Sequence, residues 1–143
     1  MRSEIMQSKG LKIYCDGGAR GNPGPGASAF VVFDDEERVL HEEAKTLGTT
    51  TNNIAEYTAV LMAVEWLSKN KIQQSVEFYL DSLLVVNQLN GLFKIKNEKL
   101  YEIAQKITEN VLAFPSTITF QHIGRNKNTH ADALVNRVLD NLL

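Results

Sequence analysis

The sequence predicts an α/β fold: a mixed five-stranded sheet, made of a three-strand antiparallel meander plus two parallel strands, flanked by helices. Three observations carry this expectation. Three short apolar segments follow one another near the N-terminus with only turns between them, the pattern of a meander. Two more strand-like segments come later, each reached through a stretch of helical periodicity, so each needs a crossover. The resulting order, β-β-β-α-β-α-α-β-α, suits one sheet with helices packed on it.

Residues 1–10 are polar and unpatterned, a loose leader before a single domain at 11–143. Lys12 to Asp16 reads as the first strand. The next stretch, YCDGGARGNPGPGA, holds five of the nine glycines and two of the three prolines. It lacks the Gly-Lys-Ser/Thr ending of a Walker loop and leads into a strand. A wide hairpin is expected, its glycines letting the backbone approach a bulky ligand. Ala27 to Asp34 is the second strand and Arg38 to Leu47 the third, with a polar turn at Asp35-Glu36-Glu37 between them. Thr49 to Asn53 is a cluster of helix-capping side chains. From Ile54 to Lys69 the apolar residues Val60, Ala63, Val64 and Leu67 recur at helical spacing. Ser75 to Leu80 is the fourth strand, ending at Asp81. Ser82 to Leu89 reads as a helix stopped by Asn90-Gly91. Glu98 to Leu112 is a helix ended before Pro115, Thr117 to Ile123 the fifth strand, and Thr129 to Leu142 a terminal helix.

The chain has 143 residues and a formal net charge of -2. A basic excess, the usual mark of a nucleic-acid binder, is missing. A cluster of catalytic carboxylates would lower the net charge and still leave a basic rim. Cys15 is the single cysteine, so an internal disulfide and a cysteine-based zinc site are excluded. No apolar run approaches membrane-spanning length, and the N-terminus lacks a signal-peptide core. A cytoplasmic monomer without membrane contact is expected.

Four acidic residues break the local pattern. Asp16 lies at the end of a strand, where aspartate is disfavoured. Glu56 lies one helical turn before Val60 and shares its inward face. Asp81 ends an apolar strand, the place where open α/β sheets put their sites. Asp132 stands in the first turn of the last helix above Val135 and Leu139. Each has an ordinary reading alone: a turn, a solvated helix position, a favourable charge at a helix N-terminus. Four inward acids together need a counter-charge. Divalent cations with oxygen ligands supply one, and Mg²⁺ is the usual occupant. The chemistry this suggests is two-metal phosphoryl transfer.

The stretches YCDGGARGNPGPGASAFVVF, TTTNNIAEYTAVLMAVEWL, YLDSLLVVNQLNG and RNKNTHADAL, in that order, resemble type 1 ribonuclease H over nearly the whole chain from Leu11. The resemblance implies the ribonuclease H-like fold. It also implies an endonuclease that hydrolyses the RNA strand of RNA–DNA hybrids, leaving 5′-phosphate and 3′-hydroxyl ends. Asp16, Glu56, Asp81 and Asp132 become the ligands of two Mg²⁺ ions, with Mn²⁺ able to substitute. Asp16 would bridge both ions, Asp132 would help hold the one that activates water, and Glu56 and Asp81 the one near the leaving group. Gly17, Gly18, Arg20 and Asn22 would lie along the RNA strand. Asn52 and Asn53 would straddle the hybrid's minor groove, and Thr51 would take a DNA phosphate. The alternative reading of Arg20 and Asn22 is a shaped turn, and that of the asparagine pair is plain helix capping.

Two departures from the family pattern stand out. Many bacterial relatives carry a basic, Trp-containing protrusion between the third and fourth carboxylates. Here the region is short, NGLFKIKNEKLYEIAQKI, with only Lys94, Lys96 and Lys99. Many relatives also have a histidine in a mobile loop before the last aspartate. Here that loop reads Gly124-Arg125-Asn126-Lys127-Asn128, and short forms of the family place arginine there, so Arg125 is the catalytic candidate. Its alternative is a solvated surface position. His130 is expected to cap or sit on the surface, His122 to lie in the fifth strand, and Trp66 and Cys15 to be core. Two competing functions remain open: a nuclease of the same fold acting on duplex RNA or junction DNA, and a non-cleaving hybrid-binding module.

Overall fold

The computed structural model describes residues 8–91 and 94–141. Five strands form one sheet: β1 (Gly10–Ala19), β2 (Gly24–Phe33), β3 (Val39–Thr50), β4 (Ser75–Leu80) and β5 (Ile118–His122), in the order β3-β2-β1-β4-β5. β1 and β2 pair antiparallel, as do β2 and β3, while β4 runs parallel to both β1 and β5. The α-helices among the described residues are α1 (Asn52–Lys69), α2 (Leu83–Leu89), α3 (Glu98–Ala113) and α4 (Thr129–Asp140). The meander and the two crossovers are those read from the sequence.

The layers follow from which faces are apolar. α1 buries Tyr57, Val60, Ala63, Val64, Trp66 and Leu67, because it lies between the sheet and α3. A helix enclosed on two sides has no polar stripe to speak of. α4 covers the other face with Ala131, Leu134, Val135 and Leu139 against Ala27, Ala29 and Val31 of β2. The side chains of β2 therefore feed both cores, which is why every residue from Ala27 to Val32 is buried and all but Ser28 are apolar. Trp66 and Cys15 are buried, as expected. His122 ends β5 and is exposed.

Several boundaries differ from expectation; β3, for one, runs on to Thr50, because Thr49 and Thr50 of the expected capping cluster pair with Pro25 and Gly24 of β2. β1 and β2 continue far into the glycine-rich stretch, with Gly17 opposite Ser28 and Gly18 opposite Ala27. The wide hairpin is thus a short turn over residues 20–23, closed by the Arg20 N–H donating to the Pro25 carbonyl at 2.8 Å. Backbone pairing does not need a Cβ, so glycines that look like loop serve as strand. At the other end of β1, Ser8 is buried and hydrogen-bonds Asp35, so the expected leader is held there. Its residues 1–7 lie outside the described residues, as does Leu142 of the expected last helix. The Gly124–Asn128 loop contains a turn of 3₁₀-helix, Arg125–Lys127.

Candidate active site

The carboxylates meet because three strand and helix ends converge. Asp16 follows Cys15 near the end of β1, and Asp81 follows Leu80, the Cα partner of Cys15 in the parallel neighbour β4. Parallel strands end on the same edge, so both acids emerge side by side. Thr51 sets the start of α1, its Oγ1 accepting from the Ile54 N–H at 3.3 Å. That start lies over β1 closely enough for Gly17 to touch the backbone of Ala55 and Glu56. Ser28 of β2 locks the same point by donating to the Ala55 carbonyl at 2.5 Å. Glu56 is thereby brought to Asp16 and Asp81. Ligand oxygens of Asp16, Glu56 and Asp81 lie within 4.8 Å of one another.

These acids line a cleft of about 640 Å³, with Gly17, Gly18, Arg20, Asn52, Asn53, Ser82, Arg125, Asp132 and Asn136 also on its walls. Asp132 departs from the expectation of four inward acids. Val135 and Leu139 below it are buried, but Asp132 itself is exposed, because the first turn of α4 opens at the cleft mouth. It stands outside the group of three, and its Oδ2 accepts from Asn136 at 3.3 Å.

Electrostatics record the crowding. Burial, then the charges of Asp81, Glu56 and Asp132, push the Asp16 carboxyl up to about 8. Burial and Asp81 push Glu56 up to about 7, against the opposing pull of Arg125 and a hydrogen bond from Ser82. The Cys15 thiol is raised by its burial and by the same two acids, which leaves it un-ionised and inert. Three half-buried carboxylates with all-oxygen donors, and no lysine among the described residues of the cleft wall, fit a hard divalent cation such as Mg²⁺ or Mn²⁺.

A pH dependence follows. Both acids have folded-state values above their ordinary ones, so the folded chain keeps protons that the unfolded chain has released. Metal-free stability should therefore fall as pH rises from about 4.5 to about 8, and divalent-ion affinity should rise over the same window as those protons leave. Melting curves in EDTA from pH 5 to 9 check this. A metal-free melting temperature that climbed with pH would contradict the geometry of the cluster.

The other expected site residues divide. Gly17, Gly18, Arg20, Asn52, Asn53 and Arg125 are on the cleft wall; Asn22 and Thr51 are not. Asn22 accepts the Asn52 N–H at 3.1 Å, and Asn52 accepts the Ala19 N–H at 2.9 Å, so these two asparagines clamp the β1–β2 turn to the start of α1. Arg20 forms an ion pair with Asp140 at the far end of α4. His130 pairs with Glu42 on the surface at 2.7 Å. Lys94, Lys96 and Lys99 are exposed. Two residues of the site were not singled out from sequence. In the sequence Ser82 reads only as a helix start, and Asn128 only as part of a polar loop. The available signal for Asn128 was its place four residues, one helical turn, before Asp132.

A mixed sheet in this order, with acids gathered at the adjoining ends of β1, β4 and α1, defines a ribonuclease H-like protein. The family described as "Reverse transcriptase-like" matches residues 14–138. A ribonuclease HI of Halobacterium salinarum is 34% identical over 138 residues, covering 95% of this chain and 68% of that protein. An RNase H1 isolated from compost by a metagenomic approach superposes with a TM-score of 0.88 at 40% identity, covering 94% of this chain and 98% of that one. That RNase H1 has also been solved in complex with an RNA/DNA hybrid. A bifunctional protein of Mycobacterium tuberculosis is 36% identical over 132 residues, and the chain spans only 35% of its length. The chain belongs to the type 1 ribonuclease H family.

Proposed function

We propose that this chain is an endonuclease that hydrolyses the RNA strand of RNA–DNA hybrids in a divalent-metal-dependent reaction. The observation that carries the reading is the trio Asp16, Glu56 and Asp81, three acids drawn within 4.8 Å in a chain whose family relatives are ribonucleases H. A binding module has no use for such mutual repulsion. Asp16, Glu56 and Asp81 hold the ions, Asp132 contributes from the cleft mouth, and Mg²⁺ is expected with Mn²⁺ able to replace it. Two such ions, when bound, activate the attacking water and stabilise the leaving oxygen. The hybrid lies across Gly17, Gly18, Arg20, Asn52 and Asn53. Apart from the charged Arg20, these are small or neutral polar groups suited to a minor groove and its 2′-hydroxyls rather than to base edges. Asn22 and Thr51 act behind them by holding the turn and the helix start. A cytoplasmic monomer is part of the same reading.

Labelled RNA–DNA, RNA–RNA, DNA–DNA and single-stranded RNA, each with Mg²⁺ or Mn²⁺, test the proposal. The RNA of the hybrid should be cut to 5′-phosphate ends while duplex DNA stays intact. Equal cutting of DNA, or binding of the hybrid without cleavage, would overturn it.

Arg125 is proposed to hold the scissile phosphate or help the cleaved 5′-phosphate depart. It lies on the cleft wall beside Glu56, is permanently charged and can fork onto phosphate oxygens. Arg125→Ala should lower turnover ten- to a hundred-fold, equivalent to about 1.4–2.7 kcal/mol, with folding unchanged. Arg125→Lys should recover only part. Comparing single-turnover with steady-state rates separates phosphate positioning from release, and wild-type values in both would return Arg125 to the solvent.

A further inference from the structure

Asn128 is the last residue before α4 and is almost wholly buried. Its side-chain amide joins the ends of two strands. One Nδ2 hydrogen goes to the Cys15 carbonyl of β1 at 2.8 Å, the other to Oδ2 of Asp81 at 2.9 Å. Its main-chain carbonyl accepts the Asp132 N–H at 3.1 Å, the first bond of α4. One residue therefore touches the neighbour of Asp16, the carboxylate of Asp81 and the backbone of Asp132.

The orientation of the amide follows from chemistry. Turned over, its oxygen would face a carbonyl and a carboxylate, both acceptors, so the two hydrogens must point to them. An asparagine in this position ordinarily spends its oxygen on a helix N–H. Asn128 makes no such bond, and its Oδ1 has no partner among the described residues. The side chain has forgone helix capping and committed both donors to the framework of the acid cluster. Its neutrality matters too. A lysine there would cancel charge that a metal needs, and an aspartate would add repulsion to a crowded site.

We infer that Asn128 is a positioning residue for the metal site, locking the Asp81 carboxylate against the end of β1 and setting the helix start that carries Asp132. The inference rests on reading the acid cluster as a metal site. Outer partners of ligating carboxylates are typically worth ten- to a hundred-fold in metal affinity or activity.

The test is Mn²⁺ binding by calorimetry on the full chain without nucleic acid. Asn128→Leu keeps the branched shape, at a larger volume, and removes both donors; Asn128→Ser keeps one hydroxyl donor. The leucine variant should bind Mn²⁺ ten- to a hundred-fold more weakly while its circular dichroism matches wild type, and the serine variant should fall between. Hybrid cleavage by the leucine variant should need correspondingly more metal and approach the wild-type rate at saturation. A purely structural Asn128 would lower melting temperature and leave Mn²⁺ affinity alone, which would overturn the inference; if the leucine variant does not fold, the serine variant reads the same difference. Absence of Mn²⁺ binding by the wild-type chain would remove the metal-site reading, and this inference with it.

Discussion

Asp16→Asn is expected to reduce Mg²⁺-dependent cleavage by at least about a thousand-fold, equivalent to about 4 kcal/mol of transition-state stabilisation. Asp81→Asn should do the same. Asp16 feels the charges of Asp81, Glu56 and Asp132 together, so it stands at the centre of the acid cluster. An amide keeps the shape of the side chain and removes the charge that draws the cation. The fold should survive, because the repulsion the substitution removes is unfavourable in the metal-free chain. In EDTA near pH 8 the Asp16→Asn melting temperature should exceed that of wild type, and added Mg²⁺ should narrow the gap by stabilising only the wild type. At position 81 an asparagine oxygen can still accept the Asn128 N–H, so loss of activity there would report charge, not the broken bond. Either variant keeping most of its activity would dismiss the metal-site assignment.

Gly17→Ala is expected to damage both stability and catalysis. A Cβ at Gly17 would overlap the Ala55 carbonyl and the Glu56 amide nitrogen, all backbone, none of it free to swing aside. β1 and the start of α1 would have to separate. Forcing a methyl group into a filled contact costs about 1–3 kcal/mol. The displacement falls on the joint that sets Glu56 against Asp16, and a shift of roughly 1 Å at a reacting site costs on the order of a hundred-fold in rate. Gly18→Ala is the control, since its Cβ would meet only Oδ1 of Asn52, at 3.9 Å. It should fold like wild type. Melting temperature and hybrid cleavage of the two variants, measured side by side, check the contrast. A Gly17→Ala chain with wild-type values in both would show that α1 is not seated on β1 as described.

Much of the architecture was legible in the chain because its signals are local. Ser75 to Leu80 was read as a strand with the bounds it has, being an apolar run closed by aspartate. The capping cluster Thr49 to Asn53 announced the start of α1, and Thr51 is the member whose oxygen caps it. Asp16, Glu56 and Asp81 stood out because each is an acid where period and neighbours call for an apolar residue. The glycine-rich stretch misled, since glycine is equally at home in a loop and in a strand pressed against a helix. Local composition cannot say which, and only the closeness of α1 to Gly17 decides.

Asp132 and Asn128 show the limit from the other side. Periodicity put Asp132 above Val135 and Leu139, but a helical face has no depth, and whether its first turn is covered depends on what packs there. Asn128 looked like one polar loop residue among five, yet its donors reach Cys15, 113 positions earlier, and Asp81, 47 positions earlier. The sequence by itself determined which acids break the local pattern and in which elements they sit, because charge, capping and period are properties of neighbouring residues. Only the tertiary structure decided which acids come within 4.8 Å of one another, which stays at the cleft mouth, and which neutral amide reaches two strands at once. Those are distances between residues far apart along the chain, set by strand register and helix seating.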